Sequence, residues 1–440
     1  MVSSVNCENA TSIKGGRMES KHLKIAMLSV HSSPMGELGT KDTGGMSIYI
    51  RELAYELGKQ GHLVDIYTRQ QHHGGTQIQH LSDNVSLIHI KAGLSGYIQK
   101  LDLYPFLPEF FQNMEEFRIR EGRRYDIVHS NYWLSGRVGT WAQVYWHVPH
   151  FVLFHTLGAV KNMFSIGVPE PELRIAIEKQ VSKTCTRILA ETEREQKQLI
   201  QLYEAAPDKI SVVPCGVNVD LFRPLLKEHS REQLGIDKNE LVLLYVGRID
   251  PLKGIDRLIT AFSYLQHHQR LRLLIVGGES RETADFKSLQ ELALNLGVHR
   301  TVTFMGRTDH ANLPLYCSAA DALVLPSHTE SFGLVALESL ACGTPVVATR
   351  VGAMDQIITS GRNGYLADSA DPHLLTQEIE RLIAAIRAGK LSRTAIRRSV
   401  QNNRWSQVAM IMVNEYTKAF RHAHFRFLPE SRAQAPLYLS

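Results

Sequence analysis

LVLLYVGRIDPLKG, residues 241–254, is the stretch on which the fold turns. Its first seven residues form an apolar run of strand length that ends in glycine, far too short to span a bilayer and suited to a buried parallel strand. Charged and turn-forming residues follow at once: Arg248, Asp250, Pro251, Lys253 and Gly254. The same word recurs along the chain. Apolar runs at 24–30, 64–69, 85–90, 126–130, 151–156, 187–191 and 210–214 alternate with helix-length amphipathic stretches in the first half, and runs at 241–247, 272–278, 302–306, 322–327, 345–350 and 364–368 do so in the second. Such alternation marks β-α-β units, so the predicted class is α/β, with two Rossmann-like domains whose parallel sheets are covered on both faces. Ligands of open parallel sheets bind beyond the carboxyl ends of the strands, where loops and positive helix N-termini gather. Here the polar, glycine-rich and charged residues fall just there: 31–45, Asn131-Tyr132, His155-Thr156, Arg248 with Lys253, and 328–333. Two domains facing each other would collect them in one cleft.

With 440 residues, 44% of them hydrophobic, the chain is long for a single core. We expect a disordered lead-in at 1–21, an N-terminal domain at 22–217, a C-terminal domain at 218–408, and a C-terminal helix and tail at 409–440 packing back on the N-terminal domain. The strand pattern stops around Pro224, so the hinge is placed near 216–228. Lys and Arg number 49 against 44 Asp and Glu, a balance of +5 without a dense basic block, which speaks against nucleic acid and suits small anionic ligands. The five cysteines are scattered and form no C-x-x-C pair, so neither a disulfide framework nor a zinc site is expected. Residues 1–20 lack the apolar core of a signal peptide, and no apolar run reaches membrane-spanning length. A soluble, cytoplasmic protein with small-molecule substrates is the expectation, homodimer formation being left open.

The segment ESFGLVALE sets Glu330 and Glu338 seven residues apart across a strand-to-helix junction. Taken singly, such a pair is an ordinary helix-dipole carboxylate and a solvated helix Glu. In company with VGRIDPLKG it resembles the donor site of the retaining GT-B glycosyltransferases of family 4. A helix starting near Phe332 would turn the amides of Ser331, Phe332, Gly333 and Leu334 toward an anion, with Gly333 allowing close approach. Glu338 would then hold ribose hydroxyls, and Glu330 hydroxyls of the donor sugar. A sugar leaving a nucleoside diphosphate unloads negative charge, so something cationic must wait there. A metal held by D-x-D is one solution, but that spacing is absent from the sequence. Arg248, a guanidinium fork, and Lys253, a point charge, would serve instead, each contributing about 3 kcal/mol of transition-state stabilisation. No metal and no cofactor is expected, the nucleoside diphosphate sugar being a co-substrate. Gly44-Gly45 should open the helix after the first strand and let backbone meet phosphate or sugar. G-x-G occurs nowhere, which argues against a dinucleotide fingerprint.

FHTLGAVKN and SNYWLSG are similar to segments of the inositol-phosphate glycosyltransferases and sucrose-phosphate synthases within the same family. That resemblance puts His155 on the donor sugar, making the catalytic set Glu330, His155, Arg248 and Lys253. It puts the acceptor's phosphate on Lys100, Tyr132, Thr156 and Arg174, chemically two cations and two hydroxyl donors. Asp42 and Ser47 would complete the acceptor site, although Ser47 stands where the family pattern GGMN has an Asn. Ser lacks an amide's two-way hydrogen bonding, so the acceptor ring can differ from inositol. The implied activity is transfer of a hexose or N-acetylhexosamine from a nucleoside diphosphate, UDP in the first instance, to inositol phosphate, fructose 6-phosphate or a similar acceptor. Transfer to a lipid or polysaccharide, epimerisation without an acceptor, and a non-catalytic sugar-nucleotide sensor are the alternatives. A sensor would have shed one of the catalytic set, and an epimerase would need no second pocket.

Overall fold

The computed structural model describes residues 22–36, 43–72, 74–265, 267–268, 270–278 and 283–426. The expected lead-in at 1–21, Cys7, Asp42 and the tail from 427 lie outside the described residues. Every apolar run read as a strand is one. The first sheet comprises β1 (Lys24–Leu28), β2 (Leu63–Arg69), β3 (Ile78–Ser82), β4 (Val85–Ile90), β5 (Ile127–Asn131), β6 (His150–Leu153), β7 (Arg187–Ala190) and β8 (Ile210–Val212). The second comprises β9 (Leu241–Val246), β10 (Leu271–Val276), β11 (Val302–Gly306), β12 (Ala322–Leu325), β13 (Val346–Thr349) and β14 (Gly364–Ala367). Their orders are β3-β4-β2-β1-β5-β6-β7-β8 and β11-β10-β9-β12-β13-β14.

The pairings are parallel except at one edge, where β3 runs antiparallel to β4. The sequence reading missed β3 because IQHLS is half-exposed along its length and carries no continuous apolar run. Central strands are buried from end to end, as β5, β12 and β13 show, because helices cover both faces.

One apolar cluster runs without a break from Ile25, Met27 and Leu53 in the first domain, through Cys215, Val217, Phe222 and Trp405, to Val242, Leu244 and Leu337 in the second. The connection between domains is thus packed. The C-terminal helix, Trp405–Arg426, starts where Val217 bridges Arg404 and then lies on the first domain. Trp405 meets the edge of Tyr49, and Tyr416 meets Phe151 and sits 2.5 Å from His129 Nδ1 through its hydroxyl. The described cysteines, Cys185, Cys215, Cys317 and Cys342, are free and buried. No helix among the described residues is long and apolar enough to cross a membrane.

Candidate active site

Both sheets reverse their order at the first strand: β1 lies between β2 and β5, and β9 between β10 and β12. Strand ends at such a switch point open a crevice bordered by loops and helix N-termini. The loops after β1, β5, β9 and β12 accordingly border a cavity of about 330 Å³ between the domains, within the range of small-molecule sites. The first domain contributes Gly44, Gly45, Lys100, Tyr132, His155 and Thr156 to its wall, and the second Arg248, Lys253, Glu330, Ser331, Phe332, Gly333, Leu334 and Glu338. Residues from opposite halves of the chain, such as Gly44 and Glu338, meet in this one place.

On the second domain's wall, Lys253 Nζ donates to Glu330 Oε1 at 2.7 Å, and the Ser327 hydroxyl donates to the same oxygen at 2.7 Å. The backbone makes that meeting possible. Asp250 accepts from the Leu252 amide and starts a short 3-10 turn, Pro251–Lys253, which Gly254 closes at φ +66°. A Cβ on Gly254 would stand 2.3 Å from the Pro326 carbonyl oxygen, so glycine there lets the β9 and β12 loops touch. Arg248 is 42% exposed, with Nη2 3.5 Å from Asp250 Oδ2, and the Tyr245 hydroxyl donates to its carbonyl.

The helix expected near Phe332 begins later, at Leu334, and runs to Ala341. Gly333 caps it at φ +103°, a left-handed backbone that stops the helix from reaching back to Phe332. Leu334 therefore leads the first turn, in which the Ala336 amide donates to the Gly333 carbonyl at 3.0 Å and the Leu334 and Val335 amides have no acceptor within the helix. The Gly45–Lys59 helix opens opposite: a Cβ built on Gly45 would lie 3.6 Å from Leu334 Cδ1, so two helix N-termini converge across the cleft. Glu338 is buried and pairs through Oε1 with His310 Nε2 at 2.6 Å. The sequence reading passed over His310, and over Arg307 and Thr308, which also border the cavity. They directly follow β11, so the strand-end rule applied elsewhere would have found them.

On the first domain's wall, Tyr132 and His155 hold φ of +77° and +59°. Such backbone is costly for non-glycine residues, and strain of this sort concentrates at functional sites. Both residues follow strands, so the turn that ends the strand also aims the side chain. His155 Nε2 lies 2.9 Å from Asn131 Oδ1, and the edge of Tyr49 packs against its ring. Its carbonyl accepts a hydrogen bond from the Ser331 hydroxyl, a direct link between the two walls. Arg194 and Asp355 form a second bridge between the domains at 2.8 Å.

Two expected acceptor residues are not on the wall. Ser47 is fully buried, and its hydroxyl is engaged by Ser32 Oγ at 3.0 Å, because it points from the first helical turn into the loop after β1. Arg174 is 1% exposed and its donors are taken: Nη1 by Glu170 at 2.9 Å, Nε by Glu178 at 2.7 Å, and Nη2 by the carbonyl and hydroxyl of Thr156. Burial opposes its charge, but Tyr132, Glu178 and Glu170 more than offset that, so the guanidinium stays protonated. Arg174 also stacks on Tyr132, 4.9 Å from the ring centroid, with Lys100 Nζ 5.6 Å from the same ring. Arg174 thus props Thr156 and Tyr132 from behind, while Lys100, Tyr132 and Thr156 face the cavity. Glu170 and Glu178 went unread in the sequence, since nothing there shows which carboxylates meet an arginine.

A carboxylate pair lies deeper. Glu191, at the end of β7, borders the cavity and accepts from the Cys215 thiol, with Oε1 also 3.7 Å from His155 Nδ1. Glu195 Oε2 accepts from the Glu191 amide. Burial, then the neighbouring Glu191 carboxylate, pushes Glu195 up to about 8. The folded protein holds a proton there that the unfolded chain releases near its ordinary 4.5, so this contribution to stability is complete below that pH and is lost as pH rises through about 8. Glu195→Gln is expected to flatten the fall in Tm between about pH 4.5 and 8, the two values between which the folded and unfolded states differ in bound protons. Thermal unfolding in matched buffers measures it, and a variant whose Tm falls as steeply as wild type would remove the buried proton. Away from the cleft, His267, His268 and Glu380 are the one group among the described residues with metal-ligand spacing, and none of them borders the cavity.

Known proteins place this architecture. The family model for glycosyl transferases group 1 matches residues 227–397, and that for glycosyltransferase family 4 matches residues 43–221. A D-inositol 3-phosphate glycosyltransferase of Catenulispora acidiphila is 38% identical over 412 residues, covering 91% of this chain and 96% of that protein. Its counterpart from Corynebacterium glutamicum is 38% identical over 369 residues, covering 82% and 88%. Among solved structures, a sucrose-phosphate synthase from Thermosynechococcus elongatus superposes with a TM-score of 0.83 at 31% identity, covering 91% of this chain and all (100%) of that one. HepE of Anabaena, crystallised with UDP and glucose, shares the fold with a TM-score of 0.71 at 20% identity over 90% of this chain and 100% of its own.

Proposed function

The chain belongs to the family 4 glycosyltransferases of the GT-B fold, and from that premise we propose that it is a retaining, metal-independent hexosyltransferase that moves a hexose or N-acetylhexosamine from a UDP-sugar to a small phosphorylated acceptor. One observation carries the proposal: the cleft wall divides by chemistry. Arg248, Lys253 and the Leu334 helix N-terminus stand on one domain, and Lys100 with the hydroxyls of Tyr132 and Thr156 on the other.

In this reading the diphosphate rests on Arg248, Lys253 and the helix amides, Glu338 takes the ribose, and Glu330 and His155 take the sugar. The bond between the anomeric carbon and the diphosphate oxygen breaks, and its electron pair stays on the diphosphate, where the two cations absorb the charge. The acceptor hydroxyl attacks from the same face, its proton passes to a diphosphate oxygen, and the configuration is kept. No pair of carboxylates acting as acid and base is needed, unlike in glycoside hydrolases. Because the acceptor and diphosphate groups lie on different domains, closure precedes chemistry, and the Ser331–His155 hydrogen bond is the contact such closure would make. The names of relatives, D-inositol 3-phosphate glycosyltransferase and sucrose-phosphate synthase, support a phosphorylated substrate, and inositol phosphate or fructose 6-phosphate is our reading of the acceptor class. Ser47, buried behind the wall, leaves the acceptor ring to other side chains.

A matrix of nucleotide sugars against inositol phosphate, fructose 6-phosphate and their unphosphorylated counterparts, read by product mass with and without chelator, tests this. Product is expected only with phosphorylated acceptors and at an undiminished rate in chelator. Transfer to unphosphorylated acceptors alone would refute the phosphate seat. Loss of activity in chelator with recovery in magnesium would refute the metal-free scheme, and an epimer formed without any acceptor would refute transfer.

A further inference from the structure

The acceptor wall reaches Lys100 through residues 91–99, a stretch in which no helix or strand forms. A loop without a backbone ladder keeps its shape through other partners. Here the partner is Arg69, the last residue of β2, which is only 3% exposed and does not border the cavity. Its guanidinium donates to carbonyls alone: Nη1 to Gln70, Ala92 and Leu94 at 3.4, 3.5 and 3.0 Å, and Nη2 to Gly96 at 2.5 Å. Three of these four carbonyls belong to the loop. The Gly96 amide donates in turn to the Gln71 carbonyl at 2.6 Å, so the loop is tied to the end of β2 in both directions.

Buried arginines are ordinarily matched by a carboxylate, as Arg174 is on the same wall. Arg69 meets none among the described residues, and burial lowers its pKa from the ordinary arginine value with no anion to offset it. What a guanidinium supplies in such a place is its planar fork, which gathers several carbonyls at fixed angles. The fork does not serve to bury the loop's large side chains, since Leu94 and Tyr97 stay 77% and 55% exposed. What the loop does deliver is Lys100, which opens the helix Lys100–Leu103 with Nζ 5.6 Å from the Tyr132 ring centroid. We propose that Arg69 is a positioning residue for the acceptor: by fixing the path of residues 92–96 it brings Lys100 over Tyr132, and so sets acceptor affinity without touching the substrate. The proposal rests on the phosphorylated-acceptor reading above.

The test combines steady-state kinetics, with inositol phosphate or fructose 6-phosphate as acceptor, and amide hydrogen exchange on wild type, Arg69→Lys, Lys100→Ala, their double variant and Gly96→Ala. Lys keeps the charge of Arg69 and loses the fork. Gly96→Ala leaves Arg69 in place and strains the loop at φ +93°, with nothing within 4 Å of the new Cβ to threaten the fold. Arg69→Lys and Gly96→Ala are each expected to raise acceptor KM about tenfold or more, with donor KM near wild type and faster exchange at residues 91–100. Should Arg69→Lys fail to fold, Gly96→Ala carries the same prediction. Because Arg69 acts through Lys100, the double variant should have the acceptor KM of Lys100→Ala alone. Wild-type acceptor KM in Arg69→Lys or in Gly96→Ala would overturn the proposal, as would losses that multiply in the double variant or a donor KM that rises as far as acceptor KM. If wild type uses neither acceptor, or Lys100→Ala leaves acceptor KM unchanged, the phosphate seat itself falls, and the role of Arg69 with it.

Discussion

Lys253→Ala is expected to lower kcat by about two orders of magnitude, the equivalent of about 3 kcal/mol of transition-state stabilisation, with the fold intact. Two losses coincide. The ammonium that would meet the departing diphosphate is gone, and the Glu330 carboxylate keeps only the Ser327 hydroxyl on Oε1. Side chains of the pair are 23% and 15% exposed, so removing one partner costs the native state modestly, and circular dichroism and Tm should stay near wild type. Coupling makes the prediction sharper: since Lys253 fixes Glu330, the double variant Lys253→Ala/Glu330→Gln should fall well short of the product of the two single losses. Steady-state kinetics on the four proteins gives the answer. A Lys253→Ala enzyme within about threefold of wild-type kcat would take this residue out of the reaction.

Whether a residue's place is legible in the sequence depends on what kind of pattern it obeys. Strand runs such as KIAML and LVLLYV are legible because a strand buried on both faces must be apolar nearly throughout, whereas IQHLS at the edge is under no such demand. Arg248, Lys253, Glu330 and Glu338 are legible because strand ends announce them and the family motif names them. The sequence puts the start of the Leu334 helix two residues early, since a glycine after a strand can either join a helix or cap it, and only φ distinguishes these. Ser47 and Arg174 show the other limit. Helical periodicity says that Ser47 shares a face with its neighbours, not that Ser32 will claim its hydroxyl. Arg174 matches the family pattern by type, but whether its donors are free depends on Glu170, Glu178 and Thr156, which only folding assembles around it.

Gly333→Ala is expected to cost about tenfold or more in kcat/KM while the enzyme stays folded, because the backbone there carries both a strain requirement and a positional one. At φ +103° an L-residue is strained by about 1–2 kcal/mol, and the added Cβ would lie 2.1 Å from Met354 Cε. Met354 is fully buried, though its thioether end can shift, so the steric part of the cost can be relieved. The backbone part cannot. To escape it, the cap would swing toward helical φ and carry the Leu334 amide away from its place opposite Gly45. Since those amides are where the diphosphate is read to rest, donor KM should rise along with the fall in kcat, while acceptor KM moves little. The double variant Gly333→Ala/Met354→Ala separates the two causes: it should restore little of the activity, because the clash is the smaller part. Full recovery in that double variant would mean that crowding against Met354, and not the left-handed cap, is what keeps a glycine at this helix start.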